Sequence, residues 1–287
     1  MENKKQANKV SFITIGGNLT LALLKFAAGF LGRSQAMISD AVHSLTDVVS
    51  TVVMMLGINM SAKKEDSSHP YGHERIESIF SIILAVMIFA TGVGIGLTAV
   101  KTIIYKTENV IPGKIALIAA VVSIIVKEVM YRYTKRNAEK LNSSAMLAAA
   151  WDHRSDALSS IGSLIGIGGA LIGYPICEPI ASIVICIFIG KAAIEIFIDA
   201  VNRLVDRSCS DEEIAKIRQC ISEVEGVKRI DVLMTRRFGS KIFVDLEIAE
   251  DANITLIESH EIAEKVQDNI KSKIENVKRC MVHVNPE

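Results

Sequence analysis

Apolar positions along this chain fall into two regimes. Over residues 10–200 they form long runs broken by short polar stretches, whereas over 208–287 they are interleaved with charge at the density of an ordinary soluble domain. A bilayer core of about 30 Å takes about 20 mostly apolar helical residues. Six segments satisfy that length, at 10–32, 36–60, 76–104, 113–134, 144–172 and 175–200. Ile111-Pro112-Gly113 separates the third from the fourth, and Gly173-Tyr174-Pro175 leaves only a tight turn between the fifth and sixth. Small residues such as those of Gly92-Val93-Gly94-Ile95-Gly96 let membrane helices approach closely, which favours a compact bundle.

Beyond Asp206 the pattern shortens. Residues 211–224 form an amphipathic helix with Ser210 as N-cap and acidic residues in the first turn. Two β-like stretches, 230–237 and 241–248, are joined through Phe238-Gly239-Ser240, and a helix at 255–273 and a strand at 278–284 follow. The order αββαβ allows a hairpin with helices over one face, a small open α+β sandwich. The predicted fold is therefore a membrane all-α six-helix bundle, residues 1–207, followed by a small α+β domain, residues 208–287.

Charge decides orientation. With six spans both termini lie on one side, and Lys/Arg residues accumulate there: Lys4, Lys5 and Lys9 before the first segment, Lys63, Lys64 and Arg75 after the second, Arg132, Lys135, Arg136 and Lys140 after the fourth, and Arg203 and Arg207 after the sixth. The opposite loops hold little beyond Arg33, Lys106 and Lys114. The positive-inside rule places the termini and the small domain in the cytoplasm of what is expected to be the plasma membrane. The basic amino terminus precedes an apolar stretch too long for the core of a signal peptide and without a clear small-residue cleavage site, so it reads as an uncleaved membrane helix. Formal net charge is zero and 5% of the 287 residues are aromatic, which sets nucleic-acid binding aside. Five cysteines without a CxxC pair make neither a disulfide framework nor a zinc finger.

Ionisable residues within a spanning helix are costly and call for a functional reading. In the second segment His43 and Asp47 are four residues apart, and in the fifth so are Asp152 and Asp156. That spacing puts each pair on one helical face. Two such pairs from facing helices supply four ligands for one divalent ion. Asp40, nearer its helix end, reads as a cap. Lys127-Glu128 and Lys191/Glu195 read as structural ion pairs or snorkelling side chains, and His153 and Arg154 as facing away from the acids. Like charges in close quarters in a low dielectric cannot all stay ionised. Protons would therefore share the site and leave when metal binds, and alternating exposure of the site would exchange the one for the other.

SDAVHSLTD in the second helix, WDHRSDALSS in the fifth, the HPYGHERIE loop and the αββαβ tail together resemble the cation diffusion facilitator family of metal/proton antiporters. The resemblance covers about residues 8–286 and rests on the order and spacing of the motifs. It implies a transport site at His43, Asp47, Asp152 and Asp156, and export of divalent cations from the cytoplasm against an inward proton flow. Zinc and cadmium members commonly have His where this chain has Asp152. One imidazole with three carboxylates is a harder donor set, which moves preference slightly towards Mn²⁺, with Zn²⁺, Fe²⁺ and Co²⁺ also possible.

The same resemblance implies a supporting metal site in the loop at Asp66, His69 and His73, and an ion pair between Arg75 and Asp206. It implies cytoplasmic metal ligands at Asp231, Asp245, His260 and His283 in a tail of ferredoxin-like, metallochaperone-like fold, which also makes the contact of a C₂ homodimer. Two of these four are carboxylates where zinc-transporting relatives have His, and Asn285 stands where they have Asp, so ordinary surface polarity is an equal reading. HExxE at His260 is not the HExxH of a zinc peptidase. Three other readings compete: a channel or a transporter of another solute, a metal sensor or scaffold without transport, and an intramembrane metalloenzyme. The last lacks an acid/base residue beyond the four ligands, so no enzymatic activity and no organic cofactor are expected. Metal, protons, lipid and a second copy of the chain are the expected partners.

Overall fold

The computed structural model describes residues 2–31, 35–105, 114–171, 174 and 176–287, without some side chains inside the helices, His43 among them. Six long helices come first: α1 (Glu2–Leu31), α2 (Gln35–Ser61), α3 (Arg75–Tyr105), α4 (Lys114–Leu141), α5 (Ser144–Leu171) and α6 (Cys177–Leu204). The chain divides into two compact units, Met1–Val201 and Asn202–Glu287.

In the first unit burial is inverted relative to a soluble protein. Ser11, Thr14, Asn18, Ser44, Ser81, Ser123 and Lys127 are buried, while Phe12, Phe30, Ile104, Ile187 and Phe188 are each more than 60% exposed. A helix set with polar groups inward and large apolar groups outward suits a hydrocarbon surround, which cannot solvate polar groups. Among the described residues, Lys5–Ala27 and Arg75–Tyr105 are long and apolar enough to cross a membrane by composition. The remaining long helices carry most of the buried or semi-buried charge. Met54, Ile58, Leu84, Ile88, Met146 and Ile189 join Ala85, Ala145, Ala149 and Ala193 in the unit's apolar core. The alanines of α3 and α5 let these two helices approach closely.

Two helices outrun the expected lengths. Helix α1 begins at Glu2 rather than near 10, and α4 continues to Leu141 rather than stopping at 134. The extensions are rich in Lys, Arg, Glu and Ala, which propagate a helix in water as well as in lipid. They are tied together by Gln6 Nε2 donating to Asn137 Oδ1 at 2.9 Å. Asn142, at φ +49°, ends α4 in the left-handed conformation that asparagine tolerates.

The second unit follows the expected αββαβ order: α7 (Asp211–Ser222), β1 (Arg229–Phe238), β2 (Lys241–Glu250), α8 (Leu256–Lys273) and β3 (Val277–Pro286). Ser210 caps α7 in a reciprocal capping box with Glu213, and Thr255 does the same for α8 with Glu258. Strands β1 and β2 pair antiparallel across Gly239-Ser240, with Gly239 at φ +61° in the two-residue loop. Strand β3 pairs parallel to β2 after the α8 crossover, so the sheet order is β1-β2-β3. Val244, Leu246 and Ile248 of β2 pack with Ile217 and Ile221 of α7 and Val266 and Ile270 of α8, which puts both helices on one sheet face.

Candidate functional site

Helix periodicity sets the interior of the first unit. On α2, Ser44, Asp47 and Thr51 recur every three or four residues and are buried at 1%, 4% and 1% exposure. On α5 the buried face holds His153, Asp156 and Ala157, and on α4 it holds Ser123, Lys127, Tyr131, Thr134 and Ala138. These three faces meet. Lys127 Nζ donates to Asp47 Oδ2 at 2.5 Å and to Asp156 Oδ2 at 2.7 Å. Asp152 lies beside Ser50, and its Oδ2 is buried without a hydrogen-bond partner. His43 lies on α2 one turn before Asp47, and its side chain is outside the described residues.

Lys127, expected to form a structural ion pair or to snorkel, does form an ion pair, but with Asp47 and Asp156, because its position on α4 belongs to the buried face and its stem runs inward. The charge of Asp47 and Asp156 is thus met by an ammonium inside the fold, where the sequence reading assigned it wholly to protons and metal. Asp47 and Asp156 thus converge on the Lys127 ammonium, which stands between them. The one signal in the sequence was a lysine inside the fourth apolar segment, which chain order alone does not pair with an acid. Lys25 of α1, also overlooked, is 3% exposed and donates to Ser44 Oγ at 2.9 Å.

The neighbouring charges behave as expected. Arg154 Nη1 donates to both oxygens of Glu128 at 3.0 Å and stacks 4.6 Å from the Tyr131 ring centre. Lys191 and Glu195 form an exposed pair at 3.8 Å. His153, however, is 1% exposed and its Nδ1 has no hydrogen-bond partner.

The loop between α2 and α3 gathers Asp66, His69 and His73 as the motif implied. Their ligand atoms lie within 4.8 Å of one another, and among the described residues this is the one group of three or more His, Cys, Asp or Glu so placed. Asp66 Oδ1 accepts the backbone N–H groups of Ser68 at 2.9 Å and His69 at 2.7 Å, and Oδ2 lies 3.4 Å from His73 Nε2. The His69 N–H, with that of Ser68, holds the Asp66 carboxyl below the usual carboxylate range, so it is anionic at neutral pH. His73 is 8% exposed with Nδ1 buried and unpartnered.

In the second unit the four implied tail ligands stand apart. Asp231 is the extra residue of a β-bulge between Ile230 and Val232. It accepts from Arg229 Nε at 2.6 Å and from Asn285 Nδ2 at 3.0 Å, and the Arg229 bond foremost holds its carboxyl below the usual range. Asp245 is flanked across the sheet by Met234 and Met281 on the face away from the helices. His283 is in register with Glu247, and His260 faces Glu264 on the surface of α8 at 3.4 Å. Arg75 opens α3 in the first unit, and Asp206, at φ +60°, follows α6 in the second.

Residues 11–205 match the family described as the cation efflux transmembrane domain, and 209–287 match the cation efflux protein, cytoplasmic domain. An uncharacterised transporter of Methanocaldococcus jannaschii is 34% identical over 281 residues, 98% of this chain and 99% of its own. The manganese efflux system protein MneP of Bacillus subtilis is 31% identical over 292 residues, with 99% and 98% covered. A solved nickel form of the MamM CTD is 27% identical and covers 27% of this chain and 99% of its own, with a TM-score of 0.27.

Proposed function

This chain belongs to the cation diffusion facilitator family, a family of membrane transporters with a cytoplasmic domain, and from that premise we propose that it exports divalent transition-metal ions from the cytoplasm in exchange for protons. The observation that carries the reading is the buried convergence of Asp47 and Asp156, from two different helices, on a single cation. Buried acids that hold an ammonium have the charge and the oxygen donors to hold a metal ion. His43 and Asp152, each one turn from these acids, complete the set.

Three carboxylates and one imidazole favour a hard divalent ion, and the likeness to a protein named for manganese efflux agrees, so Mn²⁺ is the preferred substrate. Six spans place both termini in the cytoplasm, and the bundle exposes the site to either side of the plasma membrane in turn. The open sheet face, with Met234 59% and Met281 48% exposed around Asp245, serves the contact between two copies in a homodimer. Asp231, Asp245, His260 and His283 take metal only if residues from the second copy complete their coordination.

The test is transport by the purified chain in proteoliposomes, with Mn²⁺, Zn²⁺, Fe²⁺ and Co²⁺ side by side and a pH dye reporting the counter-flow. Fastest transport with Mn²⁺, coupled to opposite proton movement, is expected. Flux of a non-metal solute with no metal dependence would support a channel or other transporter instead, and metal binding without flux a sensor. The loop cluster of Asp66, His69 and His73 supports rather than transports. His69→Ala with His73→Ala should remove one metal-binding event by calorimetry and leave the transport rate within about threefold, since the loop lies outside the bundle interior; loss of all transport would make it part of the pathway.

A further inference from the structure

We infer that Lys127 is a built-in rival of the transported metal, its ammonium taking Asp47 and Asp156 when the ion leaves them and being driven off them when the next ion binds. The inference rests on the transport-site reading above and adds a residue to it. Lys127 Nζ lies 2.5 Å from Asp47 Oδ2 and 2.7 Å from Asp156 Oδ2, and the side chain is 1% exposed. A divalent ion on those two oxygens would lie about 2.0–2.2 Å from each. It would fall almost where the ammonium is. Two positive charges at that separation repel strongly where water is excluded, so one occupant excludes the other.

Two buried groups without partners make the exchange workable. Asp152 Oδ2 is buried and accepts no hydrogen bond, so an arriving metal has an oxygen to bind while Lys127 still holds the other two acids. The displaced ammonium also needs an acceptor. Asn18 of α1 is fully buried with both Oδ1 and Nδ2 unpartnered. A methyl group at Gly17, the preceding residue, would lie 3.1 Å from Met130 Sδ of α4, which sets Asn18 within about one helical turn of the level of Lys127. Its carbonyl oxygen is the kind of acceptor that a displaced ammonium requires. The lysine stays charged throughout, and the step consists of a change of partner. Such a competitor lets a site rich in carboxylates release its ion, because the ammonium replaces the contacts that the metal gives up.

Transport kinetics of the full chain in proteoliposomes test this. In Lys127→Met, KM for Mn²⁺ should fall about tenfold or more, with kcat lowered as release slows; tenfold in affinity is a modest consequence of removing a like charge from contact distance. Lys127→Arg keeps a cation there and should hold KM within about threefold of the parent. A merely structural lysine would lower kcat without lowering KM, and that result overturns the inference. Because Lys127→Met leaves two acids without their cation and can impair folding, a second measurement uses the unaltered chain. With ¹⁵N-labelled lysine, the Lys127 Nζ resonance, assigned by its loss in Lys127→Arg, should shift on adding Zn²⁺. A resonance that stays in place while Zn²⁺ is transported also overturns the inference. Absence of metal transport by the unaltered chain would instead defeat the transport reading itself.

Discussion

Asp156→Ala is expected to lower metal transport by the reconstituted chain at least about a hundredfold, with insertion into the membrane retained. Two effects act together. The substitution removes a carboxylate assigned to the metal, and a buried ligand supplies several kcal/mol that no neighbour replaces. It also leaves Lys127, 1% exposed, with one of its two aspartates. Breaking a buried ion pair on one side costs about 3–5 kcal/mol, because the remaining charge stays in a low dielectric. Asp156→Asn separates the two effects: the carboxamide keeps the volume and can still accept from Lys127 through its oxygen, but it is a far weaker metal ligand. Both variants should elute from size-exclusion chromatography as the parent does and should fail to take up Mn²⁺. Parental uptake by Asp156→Asn would remove Asp156 from the transport site.

The second large effect is one of selectivity. Asp152→His should raise the ratio of Zn²⁺ to Mn²⁺ transport about tenfold or more, since it exchanges a hard oxygen donor for an imidazole nitrogen and restores a two-nitrogen, two-oxygen set with His43. The position suits the exchange. Asp152 is one turn from Asp156 on α5 and its Oδ2 is buried and unpartnered, so a neutral imidazole there forfeits little. Side-by-side transport of the two ions by the variant is the measurement. An unchanged ratio would move the determinant of selectivity away from Asp152, to the spacing that Lys127 and Asp47 impose.

Much of this architecture is local and therefore visible in one dimension. Among the described residues the hydrophobic runs agree with the limits of α1 to α6 mostly within a few residues, because a long apolar stretch satisfies its own backbone as a helix. The clearest misses, at the start of α1 and the end of α4, occur where a polar helix continues past the bilayer and hydropathy no longer marks it. Ser210 marked the start of α7 as a cap for the same local reason, and Thr255, expected as the first residue of its helix, is the cap of α8. The four-residue spacings of Asp152 with Asp156 and of His69 with His73 were likewise legible, since helix and turn geometry bring such neighbours together without help from the rest of the chain.

Chain order by itself determined which residues share a helix, a face or a loop, and hence the family and the candidate ligands. It could not determine what lies opposite them. That Lys127 of α4 stands between an acid of α2 and an acid of α5 depends on the rotation and crossing of three helices, and a turn of tens of degrees in any of them would point the ammonium elsewhere. In the second unit, likewise, only the fold shows that Asp231 is turned aside by a bulge onto Arg229 and Asn285, and that His260 and His283 lie on different elements. Contacts between residues near in sequence follow from covalent geometry, whereas contacts between distant ones follow from packing, and packing is settled by the whole bundle at once.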